Sequence, residues 1–484
     1  MPAKKAGNGT YNVVVIGAGT AGLVTAAGTA GLGGRVALVE RDRMGGDCLN
    51  TGCVPSKALI SSARLIDQIR HADEWGLEPR EPAFDFDALF RRMRARRAKI
   101  AVHDSEERFE SLGVDVFHGQ ASFVSAHEVR VGDAILRAKN FVIATGSRAA
   151  VPRIPGLDTV RTYTNETIFD ELEGKPDRLA ILGGGPIGCE LGQAFARMGV
   201  AVTLVQRSSR LLPREDADVA DLLRRRLEAE RVTVLTGTEV KNAQKEGGAI
   251  HLSLDGEGAS RRSIACDAVL VAAGRVPNIE GLNLEAAGVA STEKGVAVNA
   301  HLQTSQPHIY AAGDVAGSWQ FTHVADHHAR IVVRNILFPW LKARVETRVV
   351  PWCTYTSPEV ARVGLNEDDA RKKGIACDLY TQSVEELDRA VVESLEAGFA
   401  KVLTGRGKDR ILGVTLVCER AGDMIAEFAT AMKNGLGLSD IGSVIHPYPT
   451  FGEIARKVAD LRQRSRLTPF AKKVLTGLYA WRRR

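Results

Sequence analysis

The apolar run Val13-Val-Val-Ile16 reads as a buried strand. It leads into Gly17-Ala-Gly19-Thr-Ala-Gly22, an Ala-rich stretch of helical spacing to about residue 32, and a second apolar run at 36–39 ending on Glu40. The pattern recurs. Leu179-Ala-Ile-Leu182 leads into Gly183-Gly-Gly185-Pro-Ile-Gly188, a helical stretch to about residue 198, and an apolar run at 200–205 ending on Gln206. Positions 17, 19, 22 and 40 all reappear 166 residues later, at 183, 185, 188 and 206. The segments Phe141-Val-Ile-Ala-Thr145-Gly146-Ser147 and Val269-Leu-Val-Ala-Ala-Gly274-Arg275 read as strands, each closing one of the two units. A helix is predicted over 84–99, with six basic residues between 91 and 99 on what reads as a solvated face. Beyond Pro351 the glycine loops cease, and mixed strands and helices point to a separate domain.

Each glycine triplet sits between a strand and a helix, with a polar residue 18 positions past its third glycine, the context a dinucleotide fingerprint requires. The first glycine permits the tight turn, the second lets backbone approach a pyrophosphate, and the helix N-terminus offers N–H donors to that anion. The predicted class is α/β with two Rossmann-like dinucleotide-binding domains and a C-terminal α+β domain.

At 484 residues, of which 44% are apolar and 25% charged, the chain is long enough for about three ordinary globular domains. Collagen-like, disordered and disulfide-scaffold classes are excluded. No apolar run approaches the ~18–20 residues of a membrane span, and the first ten residues read as a loose tail without a secretory core. Seven cysteines, thinly spread, argue against a secreted framework, so a cytoplasmic protein is expected. The net charge of +6 is local: from Ile454 onward ten Lys or Arg face one acid, Asp460, so that segment carries +9 and residues 1–453 carry −3. Nucleic-acid binding is therefore not expected, and no metal-ligand spacing accompanies the charge.

The segment Gly45-Gly-Asp-Cys48-Leu-Asn-Thr-Gly-Cys53-Val-Pro-Ser-Lys57 carries the most specific chemistry. Five residues of regular helix rise ~7.5 Å, more than the ~4.4–6.8 Å between disulfide-linked Cα atoms. A bridge thus demands a break in the helix. Asn50, Thr51 and Gly52 suit that break, and Pro55 suits the first turn of a following helix. A metal half-site or two unrelated thiols are the other readings.

With these motifs, Ala311-Ala-Gly-Asp314, and His446-Pro-Tyr-Pro-Thr-Phe-Gly-Glu453, the chain from about residue 11 to 453 resembles the pyridine nucleotide–disulfide oxidoreductase family, which includes dihydrolipoamide dehydrogenases, glutathione reductases and mercuric reductases. The resemblance implies FAD in the first fold, held by Gly17, Gly19, Gly22, Glu40, Thr145, Gly146, Ser147, Asp314 and His323. It implies a redox disulfide, with Cys53 beside the flavin and Cys48 facing substrate, and Lys57 near the flavin N5, paired with Glu190. Solvent-exposed helix charges are the bland alternative for that pair. The second fold, through Gly183, Gly185, Gly188 and Gly274, is expected to hold NADP or NAD; Gln206 in place of an acid, with Arg207 and Arg210 nearby, favours NADPH. Boundaries follow at 11–150 and 275–348 for the two parts of the FAD-binding domain, 151–274 for the nicotinamide domain, 349–466 for a dimerisation domain and 467–484 for a basic tail. In the family the C-terminal motif completes the partner subunit's site, so a homodimer is expected.

Two departures bear on substrate. Lipoamide- and glutathione-type members carry a catalytic His where this chain has Tyr448, with Glu453 still five residues on to orient it; His446 reads as structural. A Tyr titrates near ~10 against ~6.5 for His, so reduction of an ordinary organic disulfide is disfavoured. Mercuric reductases also resemble the chain in that Tyr, but they carry a C-terminal Cys pair, whereas no thiol follows Cys418 here. The expected activity is electron transfer from NADPH through FAD and Cys48–Cys53 to a soft metal ion or other small oxidant. A dihydrolipoamide dehydrogenase-like activity is the alternative, and a flavin-bearing membrane-associated or interaction protein is the other class. In the tail, Thr468-Pro469 reads as a helix start, with Phe470, Val474, Leu478 and Trp481 at helical spacing and Lys472, Lys473 and Arg482-Arg-Arg484 around them. Packing on the body is the expectation, and docking on an anionic membrane surface the alternative.

Overall fold

The computed structural model describes residues 9–256, 262–317 and 319–483. Most of the expected N-terminal tail, and Arg484, lie outside the described residues. The chain forms two units, one from the residues up to Arg70 with Glu81–Arg207 and Gly237–Glu346, the other from His71–Arg80, Ser208–Thr236 and the residues from Thr347 onward.

In the first unit, the strand Tyr11–Ile16 lies between Val36–Glu40 and Ala134–Ile143, with Val114–His118 beyond the former and Ile309–Ala311 beside the latter, all parallel. Their β-branched and aliphatic side chains are buried on both faces, as parallel strands require. Registers Ile16↔Val39, Ile16↔Ile143 and Ala311↔Ile143 bring the strand ends level, so Gly17, Thr145 and Gly313 follow at one edge. A second parallel set runs Ala201–Val205, Arg178–Leu182, Ala268–Val271, Thr162–Thr164. The short antiparallel pair Ser147–Ala149 and Arg275–Pro277 links the segments leaving the two folds.

Both glycine loops are tight for the same reason. Gly17 has φ +104°, and a Cβ there would lie 2.4 Å from Ala144 O; Gly183 has φ +118° and would meet Ala272 O at 2.3 Å. A Cβ on Gly22 or Gly188 would strike the carbonyl of its own loop's first glycine. The helices Thr20–Gly31 and Pro186–Arg197 follow, with Gly19 and Gly185 as N-caps that place no side chain on the first-turn N–H groups.

The predicted basic helix is found as Phe86–Ala101, but its cationic face is not simply solvated. Arg97 donates to Asn50 O at 2.8 Å and to both oxygens of Asp170, Arg92 donates to Ala58 O, and Arg94 to Phe169 O. These bonds hold the helix against both the segment that follows Cys48 and the segment at Phe169-Asp170.

The second unit contains an antiparallel sheet ordered Pro351–Thr354, Glu359–Gly364, Ile411–Cys418, Phe399–Gly405, Cys377–Ser383. Helices Ala421–Lys433 and Glu453–Ser465 supply Ile425, Phe428, Ile454 and Val458 to its core. The tail helix forms over Pro469–Arg482, capped by the Thr468 hydroxyl, which accepts from Ala471 N–H at 3.2 Å. The expected packing on the body is not found: no residue of this helix is buried. Among the described residues, no helix is long and apolar enough to cross a membrane.

Candidate active site

Cys48 sits in the short helix Gly46–Asn50, and Cys53 opens the long helix Cys53–Arg70. The helix breaks between them, where Thr51 adopts φ −138°. Local polar side chains hold the break. Asn50 Nδ2 donates to Met44 O and Gly46 O, each at 2.9 Å, and Thr51 Oγ1 donates to Asp47 Oδ1 at 2.8 Å. Asn165, far along the chain, donates to Asp47 and to Thr51 O. The two thiols are unbridged in this structure, yet they hydrogen-bond to each other. Each thiol shifts the acidity of the other, in opposite directions. The Cys48 thiol is pushed up, first by its hydrogen bond to Cys53 and then by burial. Cys53 is lowered to about 6 by that same bond, by the Thr322 hydroxyl 3.4 Å from its Sγ, and by the Lys57 charge. Cys53 is therefore the thiolate of the pair near neutral pH.

Lys57 lies one turn after Cys53, and its Nζ is 2.7 Å from Glu190 Oε2. Glu190 is buried on the helix Pro186–Arg197. The pair thus joins the cysteine helix to the helix after the second glycine loop, which overturns the reading of two independent surface charges.

The structure also brings in Arg275, to which sequence reasoning gave no role. Its Nη2 is 3.1 Å from Asp47 Oδ2, its Nε donates to Ser147 Oγ at 2.8 Å, and that hydroxyl donates to Asp314 Oδ2 at 2.6 Å. One guanidinium so connects the Cys48 helix, the strand end at Ser147 and the Asp314 turn. Burial holds the Asp314 carboxyl above its ordinary range, against the opposing pull of Ser147 and Arg275. The arginine in Ala-Ala-Gly-Arg-Val-Pro-Asn was the available signal.

At the first glycine loop, Glu40 Oε2 accepts from Ala18 N–H at 2.6 Å and its Oε1 from Asp42 N–H at 2.9 Å. A cavity of about 50 Å³ is lined there by Gly17, Glu40, Thr145 and Asn278 among others. Thr145 and Asn278 bond each other twice, at 2.6 and 3.0 Å. Gly146, at φ +67°, turns the chain toward Ser147. His323 stacks on Phe321 with ring centroids 5.3 Å apart. These features fit a dinucleotide: a glycine loop that leaves the helix N–H groups without side-chain caps, a carboxylate at the end of the second strand, and an aspartate at the adjoining strand end.

The second loop repeats the first of these bonds. Gln206 Oε1 accepts from Gly184 N–H at 2.8 Å, displaced by 166 residues from the Glu40–Ala18 bond. Gly274 has φ +131° at the end of the closing strand. Arg207 is exposed. Arg210, expected to serve a nucleotide phosphate, is engaged by Asp368 at 2.6 Å, with Asp368 Oδ2 accepting from its Nη2.

In the second unit, the Tyr448 hydroxyl donates to Asp388 Oδ2 at 2.5 Å, which raises its pKa above the ordinary tyrosine value. Glu453 does not orient it. One Glu453 oxygen pairs with Arg456 at 2.5 Å, and the other has no hydrogen-bond partner among the described residues. His446 binds Glu427 through Nε2 and Val444 O through Nδ1, both ring nitrogens thus occupied locally.

Comparison with known proteins agrees with this geometry. Residues 11–329 match the family model described as pyridine nucleotide-disulphide oxidoreductase, and residues 350–459 match the dimerisation domain of the same family. A mercuric reductase of Staphylococcus aureus is 35% identical over 447 residues, covering 92% of this chain and 81% of that protein. A dihydrolipoyl dehydrogenase of Thermus scotoductus is 36% identical over 454 residues, covering 93% and 97%. Among solved structures, the HOCl-induced flavoprotein disulfide reductase RclA from Escherichia coli superposes with a TM-score of 0.84 at 31% identity, covering 93% of this chain and 100% of that one. RclA has also been solved as a Cu(II) complex.

Proposed function

The chain belongs to the pyridine nucleotide-disulphide oxidoreductases, and from that premise we propose that it carries two electrons from NADPH to a soft metal ion or small oxidant through Cys48 and Cys53. It is a FAD-dependent enzyme with NAD(P)H as donor. Bound FAD supplies the conversion between hydride transfer and thiol chemistry. The residues proposed to hold it are Glu40, Thr145, Ser147, Asp314 and His323 around the first glycine loop. Lys57, fixed by Glu190, keeps a positive charge one turn from the Cys53 thiolate, and Arg275 fixes the Cys48 helix through Asp47.

The observation that carries the reading is that a chain with a low-pKa thiolate at Cys53 has a tyrosine, not a histidine, at position 448. Closing the Cys48–Cys53 bond releases two electrons, enough for one Hg(II) or two Cu(II) ions reduced to Cu(I). A soft metal binds thiolates directly and needs no proton for a departing sulfur. An organic disulfide does need one, and a tyrosine hydroxyl held by Asp388 is a poor proton carrier at neutral pH. A lipoamide-type substrate is the second reading, favoured by the 36% identity to a dihydrolipoyl dehydrogenase. NADPH oxidation by the FAD-loaded enzyme with Hg(II), Cu(II), a quinone, lipoamide and glutathione disulfide separates the two. Turnover with the organic disulfides alone replaces the first reading with the second.

The family's dimerisation domain supports a homodimer, with NADPH preference proposed to rest on Gln206 and Arg207. A cytoplasmic setting is part of the proposal and rests on the odd number of cysteines thinly spread along the chain.

A further inference from the structure

The helix Pro469–Arg482 begins ten residues beyond the end of the matched dimerisation domain and buries none of its side chains. At about 100° per residue, Phe470, Val474, Leu478 and Trp481 share one face, while Lys472, Lys473 and Arg483 take the opposite half. Phe470 is 77% and Trp481 70% exposed, so the two aromatic ends of the apolar face stand open among the described residues. No acidic residue occurs after Asp460, and Arg464 and Arg466 add cations just before the helix. We propose that this helix docks the enzyme on an anionic lipid bilayer, lying in the interface with its aromatic and aliphatic face down.

Charge and shape select that occupant. A strip about 21 Å long, with aromatic residues near both ends and cations as the only charged groups on its other side, beside Leu475 and Tyr479, matches an interfacial helix. Each Lys or Arg brought to an anionic leaflet strengthens partitioning about fivefold. A second copy of this chain would be a different occupant. Its body, residues 1–453, carries only −3, and the matched dimerisation domain ends before the helix.

Flotation of the full-length, FAD-loaded enzyme with phosphatidylcholine vesicles, with and without phosphatidylglycerol, tests the assignment. Binding is expected to be at least about tenfold stronger with phosphatidylglycerol and to fall with added salt. The double variants Lys472→Glu/Lys473→Glu and Phe470→Ser/Trp481→Ser should each lose at least about tenfold while oxidising NADPH at the wild-type rate. Equal flotation on both vesicle types, or variants that float like wild type, would overturn the proposal. So would conversion of a dimer to monomers on truncation after Leu467, which assigns the helix to a second copy. Duplex DNA binding that survives Phe470→Ser/Trp481→Ser, with no vesicle binding, would assign it to nucleic acid.

Discussion

Lys57 Nζ stands 2.7 Å from Glu190 Oε2, across 133 residues of sequence and between the helices of two different nucleotide folds. The carboxylate is almost fully enclosed and the ammonium is about one-third exposed. Lys57→Met would remove this ion pair from the buried Glu190 carboxylate. Water reaching the lysine side moderates the cost, so a loss of about 1–3 kcal/mol is expected in urea unfolding. The same variant removes a charge that lowers the Cys53 pKa. Unchanged stability together with an unchanged thiol titration would rule out a structural or electrostatic role for the pair.

Thr322 gives a separate handle on the same thiol. Cys53 is lowered to about 6, so it is a thiolate above that pH and gains a proton, losing nucleophilicity, as pH falls through it. Alkylation of the reduced enzyme by iodoacetamide should rise through about pH 6 in wild type. Thr322→Val removes the hydroxyl 3.4 Å away and should move that curve to higher pH, whereas Thr322→Ser should leave it near wild type. Coincident curves for Val and wild type would show that the contact does not govern the thiol.

The nucleotide preference now rests on fewer residues than the sequence pointed to. Arg207→Ala should lower kcat/KM for NADPH by about tenfold, the value of one charge-assisted hydrogen bond at its low end, and leave NADH nearly unchanged. Gln206→Glu should shift the ratio toward NADH, because a carboxylate accepts from a ribose hydroxyl and repels a 2′-phosphate. Arg210→Ala should leave the preference alone, since its guanidinium is engaged by Asp368. Wild-type enzyme that uses NADH as well as NADPH defeats the whole scheme.

The contrast between Arg210 and Gly183 shows what a sequence can carry. Gly183 was legible because its requirement is local: a positive φ and a carbonyl 2.3 Å from where a Cβ would sit recur with the 166-residue repeat. The break between Cys48 and Cys53 was legible for the same reason, being enforced by Asn50 and Thr51 within the segment itself. Arg210 stood four residues past Gln206, but its partner lies 158 residues away, and no local pattern announces Asp368. Arg275 was missed for the converse reason. Its motif was plain, while its function lies in joining Asp47, Ser147 and Asp314, which meet only after folding. Arg97 likewise read as a surface charge until Asp170 and Asn50 closed around it.

Substrate choice turns on Tyr448, and the structure changes what a histidine there should achieve. The hydroxyl donates to Asp388, which keeps the proton on tyrosine well beyond neutral pH. Wild-type turnover with Hg(II), Cu(II) or a quinone should therefore exceed that with lipoamide or glutathione disulfide. A positioned general acid is ordinarily worth about 10²–10⁴ in rate. Tyr448→His should recover only part of that, about tenfold for lipoamide, because Arg456 draws on one oxygen of Glu453 and weakens its hold on an imidazole at position 448. Adding Arg456→Ala should free Glu453 and raise the gain further, with the rate following an imidazole that loses its proton near ~6.5 to 7. Lipoamide or glutathione disulfide turnover of about 10–1,000 per second in wild type, with no turnover of the metals, would show that Tyr448 does not limit proton delivery and that the thiol substrates are the natural ones.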